Sequence, residues 1–301
     1  MNKRIWALLG ASFVALIYGA TFILAKDVMP TYIEPYGFIL LRVLCATPLF
    51  WLLQIWAPKE KIAAKDFVLI AGAAFFGVAL NMLTFFKGLS MTSPISASVI
   101  MVSSPIVVLL LSAILLKDPL TKRKIIGVLI GLSGTVLLIL YGSKNGDGIQ
   151  NSTWGNFLVF INAASYGVYL ILIKKITAKY HPFTFLKWIF TFGLLMVLPF
   201  GFKELTAVNW QSIGFIIWLE IGFVLLFTSF LAYLINNLSV RHIKPTTLSV
   251  FIYLQPLFAS IIAISLGKDS LGPIKLLAAM LIFIGVYLVS FKKKEKKELR
   301  N

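Results

Sequence analysis

Charge is scarce in this chain of 301 residues: Asp, Glu, Lys and Arg together supply 13% of it, where a soluble domain carries about 25%. Apolar residues supply 59% and the mean hydropathy is +0.92. A water-soluble fold of this length cannot hide that much apolar surface, so lipid must cover part of it. Acid is scarcer than base, with 11 acidic against 28 basic residues and a net charge of +17. Spread over a soluble face, such an excess would suggest nucleic acid. Here the basic residues sit in short loops and at the C-terminus, between long apolar runs, which is the pattern of membrane topology and excludes nucleic acid as a partner. Cysteine is nearly absent: Cys45 stands alone inside an apolar run, so no internal disulfide can form. The two histidines, His181 and His242, fall in different loops without a partner at ligand spacing, so neither a metal nor a cofactor is expected.

What is abundant is long apolar runs. They occur near residues 5–25, 36–57, 67–86, 94–116 and 123–141, and again near 153–173, 183–202, 210–235, 246–266 and 272–291. A hydrocarbon core of about 30 Å needs about 20 such residues in helical form. The runs are continuously apolar and lack period-two alternation, so they predict ten membrane helices, not a barrel. The first run follows Lys3 and Arg4 as in a signal peptide, but it exceeds the 7–15 residues of such a segment and no cleavage site follows, so it is expected to be a permanent helix.

Lys and Arg set the orientation. Loops on the side of the N-terminus, with the basic tail, collect twenty of them, including Lys59, Lys61, Lys65, Arg123, Lys124, Lys174 and Lys175; the other side collects six. Both termini are expected on the cytoplasmic side of the cell membrane, as an even number of spans requires.

The second half repeats the first. At an offset of 148, Trp6 meets Trp154, Tyr18-Gly19 meets Tyr166-Gly167 and Lys26 meets Lys174; at 149, Leu89-Ser90 meets Leu238-Ser239. At 151, Pro94 meets Pro245, Ser98 meets Ser249, Pro105 meets Pro256, Lys117-Asp118 meets Lys268-Asp269 and Gly134 meets Gly285. This predicts an all-α integral membrane protein made of two five-helix repeats, residues 1–145 and 146–292, followed by a basic cytoplasmic tail, 293–301. Five is odd, so the copies must lie inverted relative to each other. Inverted repeats related by an axis in the membrane plane are the scaffold of many secondary transporters.

The sequence also resembles the drug/metabolite transporter superfamily, specifically proteins with two EamA domains. Tyr18-Gly19-Ala20-Thr21-Phe22 is similar to that family's W/Y-G-x-x-F segment, and Leu41-Arg42 to its Leu-Arg. The stretch from Ala97 to Leu138 resembles its proline-broken fourth helix, charged turn and Gly-rich fifth helix. The chain departs from the pattern at Lys117-Asp118, where a Glu is usual, and in the second half, where Gly167-Val168-Tyr169-Leu170 lacks the Phe and Phe190 stands opposite Arg42. The resemblance covers nearly the whole chain and implies a transporter, often an exporter of amino acids or other metabolites.

Polar groups deep in a bilayer need a partner or an aqueous cavity. Glu220, expected close to the middle of helix 8, reads as a proton carrier or as a paired structural carboxyl. Arg42, about a turn and a half into helix 2, is suited to bind a carboxylate bidentately, to snorkel, or to pair with Glu34 or Glu220. Lys187 is expected to snorkel. Asn81, Asn162, Gln255 and Ser98 are suited to line a cavity or to glue helices together. Tyr18, Tyr166 and Tyr253 are candidates for an aromatic wall. Pro105 and Pro256 are candidate hinges, since interrupted helices at matching positions point to a central site. Gly127 and Gly131 form a small-residue face that packs helix 5 against a neighbour, with a homodimer contact as the second reading.

The expected function is therefore a secondary transporter moving a small metabolite by alternating access, with the substrate and membrane lipid as its partners. No Walker motif is present to use ATP. A scaffold or receptor is the alternative, and an intramembrane enzyme a more remote one, since no intramembrane nucleophile–base pair or metal motif is evident.

Overall fold

The computed structural model describes residues 3–104, 106–107, 109–110, 121–141, 152–243, 248 and 251–290. Pro105, the Lys117-Asp118 turn and the tail 293–301 lie outside the described residues. Among those described, every regular element is helical.

The first half contains α1 (Lys3–Val28), α2 (Pro35–Leu52), α3 (Asp66–Ala74), α4 (Leu80–Ser90), α5 (Pro94–Met101) and α6 (Lys122–Tyr141). The second contains α7 (Ser152–Thr177), α8 (Pro182–Thr206), α9 (Phe215–Phe223), α10 (Ala232–Val240), α11 (Leu254–Ser265) and α12 (Pro273–Ser290). Prolines start several of them: Pro35, Pro94, Pro182 and Pro273 each open a helix, where a missing N–H leaves no intrahelical bond unmade. Ser93 also caps α5, its hydroxyl accepting from Ser96 N at 3.3 Å.

Among the described residues six rods are long and apolar enough to cross a membrane: Arg4–Val28, Pro35–Trp56, Asp66–Ser90, Ser152–Thr177, Pro182–Thr206 and Phe215–Val240. The other four apolar runs carry helix over α5, α6, α11 and α12. Large apolar side chains face outward all round the bundle, among them Leu129, Leu195, Phe215 and Met280. In water this surface would aggregate; in lipid it is at home. The molecule is a multi-pass membrane protein.

Two of the rods depart from the regular helices expected. Between α3 and α4 the backbone passes through a π turn, Phe75–Ala79, and between α9 and α10 through another, Val224–Leu231. At the repeat offset of 149, Phe75 falls on Val224, so the same interruption recurs at the same place in both halves. A π turn takes backbone groups out of the regular ladder, and such turns occur frequently at functional sites.

The principal helix pairings are preserved when the halves are exchanged. α1 lies against α10 and α11, and its counterpart α7 lies against α4 and α5. The pairs α2–α8 and α6–α12 each join one element to its own repeat equivalent. The α6–α12 crossing shows this atom by atom. Gly134 packs on Ala278 and Ile282, while Gly285 packs on Gly127 and Gly131, and these two sets are repeat images of each other. Late residues of α6 meet early residues of α12, so the two run antiparallel. A dyad that relates antiparallel neighbours lies across their axes.

Side-chain networks tie both ends. At the end bearing the N-terminus, Asp66 accepts from Lys179 at 2.8 Å and Tyr180 at 2.8 Å, and Glu60 accepts from the His181 N–H at 2.8 Å and the Thr184 hydroxyl at 2.9 Å. The hydrogen bond to Asp66 holds the Lys179 ammonium above its ordinary pKa, and burial, with Arg241 nearby, holds the His181 ring below its own. At the opposite, distal end, Lys268 pairs with Asp27, and Lys275 pairs with Asp269 at 2.6 Å. Asp269 also accepts from the Ile95 N–H in the first turn of α5 at 2.9 Å. Lys26 donates to the carbonyls of Leu89 and Ser90 at 3.0 and 2.7 Å, which fastens the end of α1 to the end of α4.

Candidate functional site

Thr228 lies near the middle of the Phe215–Val240 rod, and Asn162 lies well inside Ser152–Thr177. Around these positions the helices leave a cavity of about 70 Å³. It is lined from both halves: Tyr18 and Phe22 of α1, Arg42 of α2, Asn81 and Phe86 of α4, Asn162 and Tyr166 of α7, Tyr233 of α10 and Gln255 of α11. The volume admits several waters but is small beside the roughly 300–1,000 Å³ of sites that hold drug-sized ligands.

Six of the nine candidate binding residues therefore face one space: Tyr18, Arg42, Asn81, Asn162, Tyr166 and Gln255. Three do not. Ser98 is buried within α5 and donates to its own helix at the Ile95 carbonyl, 2.8 Å away. Tyr253 packs its ring on Phe283 of α12 with centroids 6.0 Å apart. Glu220 does not sit at mid-helix as expected. It is five residues from Phe215, about 7.5 Å along the axis, and belongs to the distal end beside Asp27 and Lys268. Its Oε2 is buried without a hydrogen-bond partner. Of the two hinge candidates only Pro256 is described. It lies in the first turn of α11, just after a 3-10 turn at Phe251–Tyr253, so the backbone geometry changes immediately ahead of it.

Arg42 neither snorkels nor pairs with Glu34 or Glu220. It is 2% exposed, its Nε donates to Ser229 Oγ at 2.8 Å, and its guanidinium carbon lies 4.0 Å from the centre of the Phe86 ring. Its Nη1 has no hydrogen-bond partner. Lys187 stands over the rings of Trp51 and Trp188, at 4.3 and 5.4 Å, a position suited to a membrane interface.

Asn162 and Asn81 grip each other through backbone carbonyls. Asn162 Nδ2 donates to Asn81 O at 2.8 Å, and Asn81 Nδ2 donates to Asn162 O at 3.4 Å. With its amide nitrogen so engaged, Asn162 presents Oδ1 as a buried acceptor without a partner.

The second π turn lends Thr228 to the cavity wall, the first ends two residues before Asn81, and both are held from outside their own rods. The Phe76 carbonyl accepts from Ser165 of α7 at 2.6 Å, and the Gly77 carbonyl from the Tyr233 hydroxyl of α10 at 2.7 Å. Gly77 has to be glycine, because a Cβ there would run into the Tyr169 ring. In the second turn Ser229 donates to the Val224 carbonyl at 2.9 Å while accepting from Arg42. The Thr21 and Thr228 hydroxyls meet at 2.7 Å across the two halves. Sequence reasoning missed Tyr233, Ser229, Thr228 and the π turns. The only signal available for them was Gly77 and the two hydroxyl residues side by side in apolar runs.

A duplicated helical bundle with a mid-depth cavity, largely apolar with a few polar side chains from both halves, defines a class, that of polytopic membrane proteins handling a solute inside the bilayer. Comparison with known proteins narrows it. The model of the EamA-like transporter family matches the chain twice, over residues 5–140 and 153–291, and the chain belongs to that family. The uncharacterized transporter YyaM of Bacillus subtilis is 27% identical over 92% of this chain and 90% of its own length. An uncharacterized transporter of Archaeoglobus fulgidus is 25% identical over 97% of this chain and 99% of its own. A solved crystal structure shares the fold, with a TM-score of 0.63 and 18% identity over 95% of this chain and 97% of that one. The protein is thus a membrane transporter of the drug/metabolite type.

Proposed function

We propose that this transporter exports a small metabolite, an amino acid or a related compound, across the cytoplasmic membrane by alternating access. The observation that carries the reading is the mid-depth cavity to which both halves contribute polar side chains. In this reading ten spans form two inverted five-helix units, residues 1–145 and 146–292, with both termini cytoplasmic. The exchange-symmetric packing of α6 on α12 supports it, since two halves with the same contacts can trade conformations and open to either side in turn. The cavity is small, so cargo has to widen it. The paired π turns, at matching positions in the two halves, are assigned as the places where the rods bend.

Proton coupling is assigned to Glu220 at the distal end, beside the Lys268–Asp27 pair. The tests are a transport assay in proteoliposomes over a panel of amino acids, polyamines and nucleosides, and the effect of an imposed pH gradient. Wild-type uptake should respond to the gradient and Glu220→Gln uptake should not. An equal response in both would remove Glu220 from the coupling, and no movement of any solute would overturn the transport reading.

A further inference from the structure

Arg42 is a buried cation facing a cavity, and among the described residues no carboxylate lies within ion-pair distance of it. Ser229 takes the Nε edge of the guanidinium and the Phe86 ring one of its faces, which leaves Nη1 unmet. In the same cavity Asn162 Oδ1 is an acceptor without a donor, and its orientation is fixed by the bond from Nδ2 to Asn81 O. An uncompensated guanidinium at this depth is costly, and a buried charge persists only where something pairs with it. No side chain in the described cavity does so, which leaves the cargo.

We infer that the cargo is an organic carboxylate that docks on Arg42, with a hydrogen-bond donor of the same solute on Asn162 Oδ1 and its apolar part against Phe22, Phe86 and Met82. The inference rests on the transport reading and specifies the chemistry that the site selects. A planar fork of N–H groups suits a carboxylate better than a point charge does. Cations are refused because they leave Arg42 unpaired and add repulsion, and neutral solutes are disfavoured because they leave its charge uncompensated. The aromatic and methionine walls supply an adaptable apolar lining.

The test uses the full chain in detergent and three solutes of matched shape: leucine, 4-methylpentanoate, which lacks its ammonium, and 3-methylbutylamine, which lacks its carboxylate. Each is titrated by thermal shift, in chloride and in chloride-free buffer, alongside a panel of other organic acids, amines and neutral solutes. Carboxylates should raise the melting temperature and the amine should not. Arg42→Gln should weaken carboxylate binding about 10- to 100-fold, the value of a hydrogen bond to a charged group. Arg42→Lys should keep the preference for carboxylates at lower affinity, which covers the case in which Arg42→Gln fails to fold. Preference for the amine, binding indifferent to Arg42, or an effect reproduced by chloride alone would each overturn the inference. Binding of only neutral or cationic solutes would overturn it and leave the transport reading standing; silence across the whole panel, with no transport in proteoliposomes, would overturn both.

Discussion

Gly285 offers the sharpest test of the exchange-symmetric crossing. A Cβ on Gly285 would lie 2.5 Å from both the Cα and the N of Gly131 and 2.6 Å from the Gly127 carbonyl oxygen. These are backbone atoms of another helix and cannot swing aside, so α6 and α12 must separate by almost an ångström along their contact. Overpacking of this kind costs about 1–3 kcal/mol, and in a bilayer it removes the close approach on which helix association depends. Alanine returns about 1 kcal/mol of helix propensity, which is too little to offset the upper part of that range. At Gly131 the added methyl meets chiefly the far end of the Ile106 side chain, which can rotate, so the propensity gain and the repacking cost nearly cancel. Gly222 has nothing within 4 Å of its would-be Cβ, and there alanine should be neutral or stabilising by up to about 1 kcal/mol. Thermal melts of the three variants in one detergent should therefore rank Gly285→Ala lowest, Gly131→Ala near wild type and Gly222→Ala at or above it. A Gly285→Ala protein as stable as Gly131→Ala would show that the two helices do not meet backbone to backbone.

Two further substitutions probe the cavity walls and the distal end. Tyr233→Phe removes the donor to the Gly77 carbonyl and leaves that oxygen unmet beside the first π turn. A loss of about 1–3 kcal/mol is expected in denaturant titration, and wild-type stability would deny the bond its role. Asp269→Asn breaks the pair with Lys275, whose partners are 5% and 2% exposed. Breaking a buried pair from one side costs about 3–5 kcal/mol, so the melting temperature should fall clearly, while a change no larger than that of a surface substitution would show the pair to be solvated.

Much of the site was legible before any tertiary contact was known. Arg42, Asn81, Asn162, Tyr18, Tyr166 and Gln255 stand out because a polar side chain within an apolar run carries a cost that something must offset. Glu220 stood out by the same rule, and its depth was misjudged. The apolar run near 210–235 does not mark where the helix begins, and the rod starts at Phe215, which puts the carboxyl near its end. Ser98 and Tyr253 show the other weakness of the rule: a hydroxyl can bond to its own helix, and a ring can pack on a neighbour, without any trace in the local pattern.

The sequence by itself determined that the chain is helical, lipid-covered and duplicated, because run length, apolar content and self-similarity are properties of the one-dimensional order of residues. It marked the pairing of Gly134 with Gly285 as repeat equivalents, though not that each packs on the other's helix. Only the tertiary structure decided which polar groups share a cavity, that Arg42 is held by Ser229 with Nη1 left unmet, and that the two π turns coincide. Those outcomes depend on how helices far apart in the chain are rotated against one another. A hydrogen bond such as Tyr233 to Gly77 joins residues 156 positions apart, and no local preference encodes it.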